Sequence, residues 1–445
     1  MVSEEEYKLA KEAHVSNCTG GSPFEISNIC YTLILSHFSW HILVDAKWIQ
    51  PDDFSSQFVL YVIPMLSSIT WASDYVYLVP VIICILYFTT KRSNAKETEN
   101  KKSQPKGMHK SFLTVYRAGL MIMTCAAILA VDFQFFPRRF AKVETFGTSL
   151  MDVGVGSFVF SSGVVASKSY LQRPPSFLSS LRSGFAILIL GFARFFLTKG
   201  INYQEHHSEY GLHWNFFFTL GFLPPCVSLL GSLRYYVPFF VPALAVILSY
   251  QTIMIFGLQD WILNAPRVNL ISANKEGISS FFGYLSIFLF GLQCGEIVFE
   301  NKSARFSTIQ ISPSVSLLIS SFALNFLVKA WVFFLPDYNV SRGMANLPYV
   351  FWVVSLNLEL LGAIMFLETN RFQTTTKSPS LLEAININGL FVFLLANILT
   401  GLINISTRTL YMDFWSSLLI NTCYMWIVVF VPFIMWNKFQ IKIKL

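Results

Sequence analysis

The chain has 445 residues, of which 54% are hydrophobic, 16% aromatic and 13% charged, with a mean hydropathy of +0.53. That composition excludes an ordinary water-soluble domain and describes a polytopic membrane protein. The formal net charge of +7 does not point to nucleic acid, because most of the excess lies in short segments beside apolar spans, as the positive-inside rule expects.

Residues 1–25 form a short segment opening with Glu4, Glu5, Glu6 and Lys8. It has no basic n-region and no small-residue cleavage site, so no cleaved signal peptide is expected. Asn17-Cys18-Thr19 is a glycosylation sequon. Apolar windows then follow near 26–45, 56–73, 75–90, 115–136, 148–167, 183–199 and 216–233. Six more run near 235–257, 281–299, 314–335, 349–367, 388–405 and 414–436. At about 17 to 25 residues these windows suit bilayer-crossing helices, and the expected fold is all-α with about thirteen transmembrane helices, taken as one multi-pass domain over 26–437.

The longest polar loop, 91–112, carries Lys91, Arg92, Lys96, Lys101, Lys102, Lys106 and Lys110 against Glu97 and Glu99. It is assigned to the cytosol, which makes the N-terminal segment lumenal and the tail 438–445, with Lys438, Lys442 and Lys444, cytosolic. The same alternation puts 137–147, 200–215, 258–280 and 336–348 on the lumenal side, where most polar residues lie. The seven cysteines are scattered without a C-x-x-C pair, so neither a disulfide framework nor a zinc site is expected. No G-x-G-x-x-G, P-loop, H-E-x-x-H or G-x-S-x-G string occurs.

The candidate chemistry lies between Ala130 and Ser157, where Asp132, Arg138, Arg139, Lys142, Glu144 and Asp152 interrupt apolar sequence. A charge in hydrocarbon costs at least about 2.5 to 3.5 kcal/mol, so such residues need partners or a polar cavity. After the break at Pro137, Lys142 can fold back toward Asp132. Asp132 could then act as a general base, with Lys142 holding it ionised or supporting an oxyanion. A structural ion pair explains the same spacing. Arg138, Arg139 and Lys142 could clamp a phosphate, or snorkel to the interface. Gly154 and Gly156 could let a helix or an acyl chain approach closely, and helix packing is the reading preferred.

Further on, Gln204, Glu205, His206, His207, Glu209, His213, Trp214 and Asn215 gather in one loop. Their spacing is no recognised metal motif, so no metal is assigned, and recognition of a sugar or head group competes with a plain interfacial loop. Asn274, Lys275 and Glu276, with Arg342 and Asn346, add polar groups on the same face.

The strings A-V-D-F, F-P-R-R-F-A-K-V-E-T and G-T-S-L-M-D-V-G-V-G-S-F-V-F-S resemble the GPI inositol acyltransferase family of PIG-W type, nearest its fungal members. Similar blocks continue at Tyr203 to His206, Glu209 to Gly211, His213 to Phe217, Ala273-Asn274, Glu276-Gly277, Asn388 to Leu390, Leu394 to Asn397 and Thr400 to Leu402, so the resemblance spans nearly the whole chain. Doubled His206-His207 and Arg342-Gly343-Met344 depart from the family's pattern. The resemblance implies transfer of a fatty acyl group, typically palmitoyl, from acyl-CoA to the inositol 2-hydroxyl of glucosaminyl-phosphatidylinositol in the endoplasmic reticulum membrane. It also implies Asp132 and Lys142 as the catalytic pair, acyl-CoA as co-substrate and no further cofactor. Substrate-binding candidates are Arg138, Arg139, Glu144, Asp152, Glu205, His206, His213, Trp214, Asn215, Asn274, Arg342 and Asn346, with Asn17 as the glycosylation site. The rival reading is a lipid flippase or transporter in which the same charges form a translocation site. A histidine-based acyltransferase using His206, His207 or His213 is a third.

Overall fold

A computed structural model describes residues 4–90, 110–200, 210–300, 304–306, 309–372 and 378–443. The architecture is helical. In chain order the helices are α1 (Glu4–Val15), α2 (Pro23–Asp45), α3 (Phe54–Ser68), α4 (Ser73–Thr89), α5 (Ser111–Ala130), α6 (Leu150–Gln172) and α7 (Phe177–Gly200). There follow α8 (Phe216–Gly231), α9 (Phe240–Asn264), α10 (Lys275–Glu300), α11 (Pro313–Phe334) and α12 (Leu347–Asn370). The last are α13 (Ser380–Ile387), α14 (Gly389–Ser406) and α15 (Phe414–Asn437), and a three-residue antiparallel ladder pairs Ala304–Phe306 with Ile309–Ile311.

Each of the thirteen apolar windows falls on one of these helices, so an all-α polytopic membrane protein is what the chain forms. Among the described residues nine helices are long and apolar enough to cross a membrane: α5, α6, α8 to α12, α14 and α15. The α3–α4 pair, bent by 110°, brings the number to ten at most, so this measure does not reach the expected thirteen. α2 falls short because polar residues dilute it, and in α7 only Phe177–Ala193 is a shorter apolar run.

The chain divides into two compact units. The first comprises Met1–Lys142, Ser149–Met151 and Leu360–Leu445; the second comprises Val143–Thr148 and Asp152–Glu359.

In the first unit, α2 begins with Ser22 as N-cap, its hydroxyl accepting the Phe24 amide, and with Pro23 in the first turn. Gly119 of α5 lets that helix close on Leu33, where any Cβ would collide with the leucine methyls. Along α2, Asn28, Thr32, Ser36 and Trp40 recur every fourth residue and are buried. Their side-chain nitrogen and oxygen atoms have no hydrogen-bond partner among the described residues. α3 contains a π turn at Phe58–Val62 just before Pro64, where the proline ring excludes regular α geometry.

In the second unit, α6 crosses α10 at Gly163 and Gly291, where each glycine faces backbone of the other helix and a side chain would not fit. Gly156 packs against Val353 and the Tyr349 hydroxyl, whereas Gly154 faces open space. The packing expected of both glycines therefore holds at Gly156 alone.

Candidate active site

α5 ends at Ala130, and the chain turns with the Asp132 amide donating to Leu129 O and the Phe133 amide to Ala130 O. Phe133, Phe136 and Phe140 are fully buried and anchor the loop, while Asp132 just before them is partly exposed, with 21% of its side chain accessible. Asn404 Nδ2 donates to Asp132 Oδ2 at 2.7 Å. Lys11 Nζ of α1 stands 3.5 Å from Oδ1 and donates to Asn404 Oδ1 at 2.6 Å. At 3.5 Å the lysine attracts the carboxylate without a well-formed hydrogen bond, so Oδ1 keeps acceptor capacity for an incoming hydroxyl.

α1 is held there by Tyr7, whose hydroxyl is 3.3 Å from Thr409 Oγ1 and whose ring lies 5.5 Å from Tyr411. His14, in the last turn of α1, feels the Asp132 charge and bonds the Phe133 backbone. Burial and the neighbouring Arg138 outweigh those and push its imidazole below the usual histidine range, so it is neutral at pH 7.

The two arginines serve different partners. Arg138 donates to Ser16 O at 2.5 Å, at the C-terminal end of α1, where a cation complements the helix dipole. Arg139 bridges Glu25 at 2.9 Å and Asp74 at 2.7 Å, tying α2 to α4. A phosphate clamp would have to compete with two carboxylates for Arg139. Lys142 follows the 3-10 turn Arg138–Phe140 and is exposed. The lysine that structure sets against Asp132 is Lys11.

In the second unit, Glu144 is exposed, while Asp152 and Arg342 are buried together, Arg342 Nε donating to Asp152 Oδ1 at 2.8 Å. Asp152 Oδ2 also accepts the Val143 amide at 3.3 Å, and its backbone carbonyl accepts the Tyr349 hydroxyl at 2.9 Å. Asn346 is fully buried; its oxygen accepts the Ser341 and Tyr349 amides and its nitrogen donates to Asn339 O. Ala345, in the left-handed region at φ 44°, lets this loop turn back beneath α10.

Asn274 Oδ1 accepts the amides of His213 and Trp214, at 2.8 and 2.9 Å. Gly211, at φ +99°, approaches Asn274 too closely for any side chain. Trp214 covers Gly277 and donates Nε1–H to Thr219 at 2.9 Å. Asn215 caps α8 by accepting the Phe217 amide and donates to Gly191 O. Asn215, Asn274 and Asn346, each expected as a substrate contact, thus all bond backbone groups. Glu205 and His206, with His207, lie outside the described residues.

Lys11, His14 and Asn404, which surround Asp132, are not among the site residues expected from sequence. The signal for α1 was present: a charged, helix-forming stretch directly before the first apolar span, with a lysine one turn from a histidine.

A family model described as GWT1 matches residues 7–435. GPI-anchored wall transfer protein 1 of Yarrowia lipolytica is 38% identical over 477 aligned residues, covering 98% of this chain and 99% of the relative. The protein of the same name from Gibberella zeae is 40% identical, over 91% of this chain and 92% of its own. That from Saccharomyces cerevisiae is 36% identical, over 98% and 99%.

Proposed function

The chain belongs to the GWT1 family, and on that premise we propose that it transfers a fatty acyl group, typically palmitoyl, from acyl-CoA to the inositol 2-hydroxyl of glucosaminyl-phosphatidylinositol. The names of its relatives place them at GPI-anchored wall proteins, and inositol acylation is the acyl-transfer step that serves such anchors. The enzyme works in the endoplasmic reticulum membrane, with the N-terminus lumenal and the C-terminus cytosolic.

The observation that carries the assignment is the geometry of Asp132: a half-open carboxylate oriented by Asn404, with Oδ1 available beside Lys11. Oδ1 takes the proton of the inositol hydroxyl as its oxygen attacks the thioester carbonyl. The tetrahedral intermediate carries a negative oxygen, which Lys142 or Lys11 stabilises by charge. Collapse breaks the C–S bond, and CoA leaves as the thiolate, which is then protonated. Direct attack by a positioned hydroxyl requires base, orientation and oxyanion support, which these residues supply.

The test is purified protein in detergent with labelled palmitoyl-CoA and a glucosaminyl-phosphatidylinositol analogue, read by mass spectrometry. Wild type is expected to form an alkali-labile inositol ester, and Asp132→Asn, melting normally, to lose about 10²- to 10⁴-fold in rate. Ester formation by Asp132→Asn at the wild-type rate would remove Asp132 as base. A folded wild type that moves lipid without making ester would replace the reaction by transport.

A further inference from the structure

The first unit contains a second cluster that the acyl-transfer chemistry does not use. His37 and His41 lie one turn apart on α2, so their rings leave the helix on one face. Both are buried, with 1% and 2% exposure. Their Nε2 atoms are 3.2 Å apart, and Glu368 of α12 brings Oε1 to 3.1 Å from His37 Nε2. One ligand atom from each of the three residues falls within 4.8 Å of the other two. The cluster sits in the C-terminal half of α2, about 18 to 24 Å along the axis from Glu25 and the Arg139 bridge, at 1.5 Å per residue.

Hydrogen bonding alone satisfies this arrangement poorly. A ring nitrogen offers either one proton or one lone pair, yet His37 Nε2 has two close partners, both themselves nitrogen or oxygen lone-pair carriers. At most one of the two contacts is a well-formed hydrogen bond. A cation at the centre would be met by all three lone pairs at once. Tetrahedral coordination at roughly 2.0 to 2.1 Å from each ligand separates the ligand atoms by about 3.3 to 3.4 Å, close to the two short contacts.

The surroundings fit ligation as well. His37 Nδ1 is 2.9 Å from the Tyr61 hydroxyl, the partner on the second ring nitrogen that fixes which nitrogen faces a metal. Tyr61 reaches it from the π turn of α3, a local irregularity common where side chains are re-aimed for function. His41 is clamped face to face on Phe372, with centroids 4.2 Å apart and planes 7° from parallel. Two imidazoles and one carboxylate are the donor set that zinc accepts with a fourth position left for water.

We propose that His37, His41 and Glu368 bind one zinc ion that joins α2 to α12. The test begins with the full-length protein in detergent, loaded with Zn²⁺, desalted and analysed by mass spectrometry for metal content. About one zinc per chain is expected in wild type. Glu368→Gln and His41→Phe, the latter preserving a ring to stack on Phe372, should both lose it. Tyr61→Phe should keep the site and weaken it roughly 10- to 100-fold. Cobalt titration of wild type needs no variant, and tetrahedral visible bands are expected. Folded wild type that retains no zinc and gives no such bands would overturn the proposal, as would full zinc retention by both Glu368→Gln and His41→Phe.

Discussion

A carboxylate at the end of an apolar helix must be solvated, paired or hydrogen-bonded, and Asp132 combines all three in part. Asn404 gives it a hydrogen bond to a charged acceptor, worth about 1.5 to 3 kcal/mol. If that bond orients the base, Asn404→Ala lowers the acylation rate about 10- to 100-fold at unchanged melting temperature, and steady-state kinetics would show it in kcat. Equal rates would mean the amide only fastens α14. Replacing Lys11 and Lys142 separately by Met decides which cation supports the reaction: the larger fall in kcat marks the oxyanion partner. The Asp152–Arg342 pair obeys a different logic, since both members are buried. Arg342→Leu strands a charge and should destabilise by about 3 to 5 kcal/mol, while the Asp152→Leu/Arg342→Leu double variant recovers most of that loss in a denaturation series. From sequence, the requirement that Asp132 and Asp152 find partners was legible, because charge in hydrocarbon is costly. The partners were not, since Lys11, Asn404 and Arg342 are distant along the chain and no local spacing encodes them.

Helices were the most legible level, because hydrophobic run length is nearly sufficient to specify a helix where backbone groups have no water to bond. What run length cannot show is the bend between α3 and α4, which depends on how the Thr70 to Ser73 turn packs. Nor does it reveal the every-fourth-residue polar row on α2, because Asn28, Thr32, Ser36 and Trp40 are diluted by apolar neighbours. An unsatisfied buried hydroxyl costs about 1 to 3 kcal/mol, so Thr32→Val, near in shape, should raise the melting temperature. A fall would show that water fills the row. At the start of α15, the Ser416 hydroxyl at 2.6 Å and the Ser416 and Trp415 amides hold the Asp413 carboxyl below the usual carboxylate range. The cap therefore stabilises the helix above the unfolded carboxylate pKa and is lost as pH falls through the lower folded value. Protection of the Trp415 and Ser416 amides, measured against their intrinsic exchange rate at each pH, should fall in acid, and Asp413→Ala should abolish that dependence.

For the molecule as a whole, the orientation proposed from the charge pattern is one that a glycan reports directly. A lumenal Asn17 gives a shift on glycosidase treatment that Asn17→Gln abolishes, whereas an unmodified Asn17 with a glycosylated tail reporter would invert the topology. α2 carries that pattern into biogenesis. It bears the polar row, both histidines and Glu25, and it is not among the helices apolar enough to cross unaided. Emerging before α5, it enters the translocon as a poor client, and Leu33 against Gly119 is a contact through which α5 holds it. Membrane insertion of α2 would then be completed only after α5 has been synthesised, so the order of manufacture and the order of membrane commitment differ.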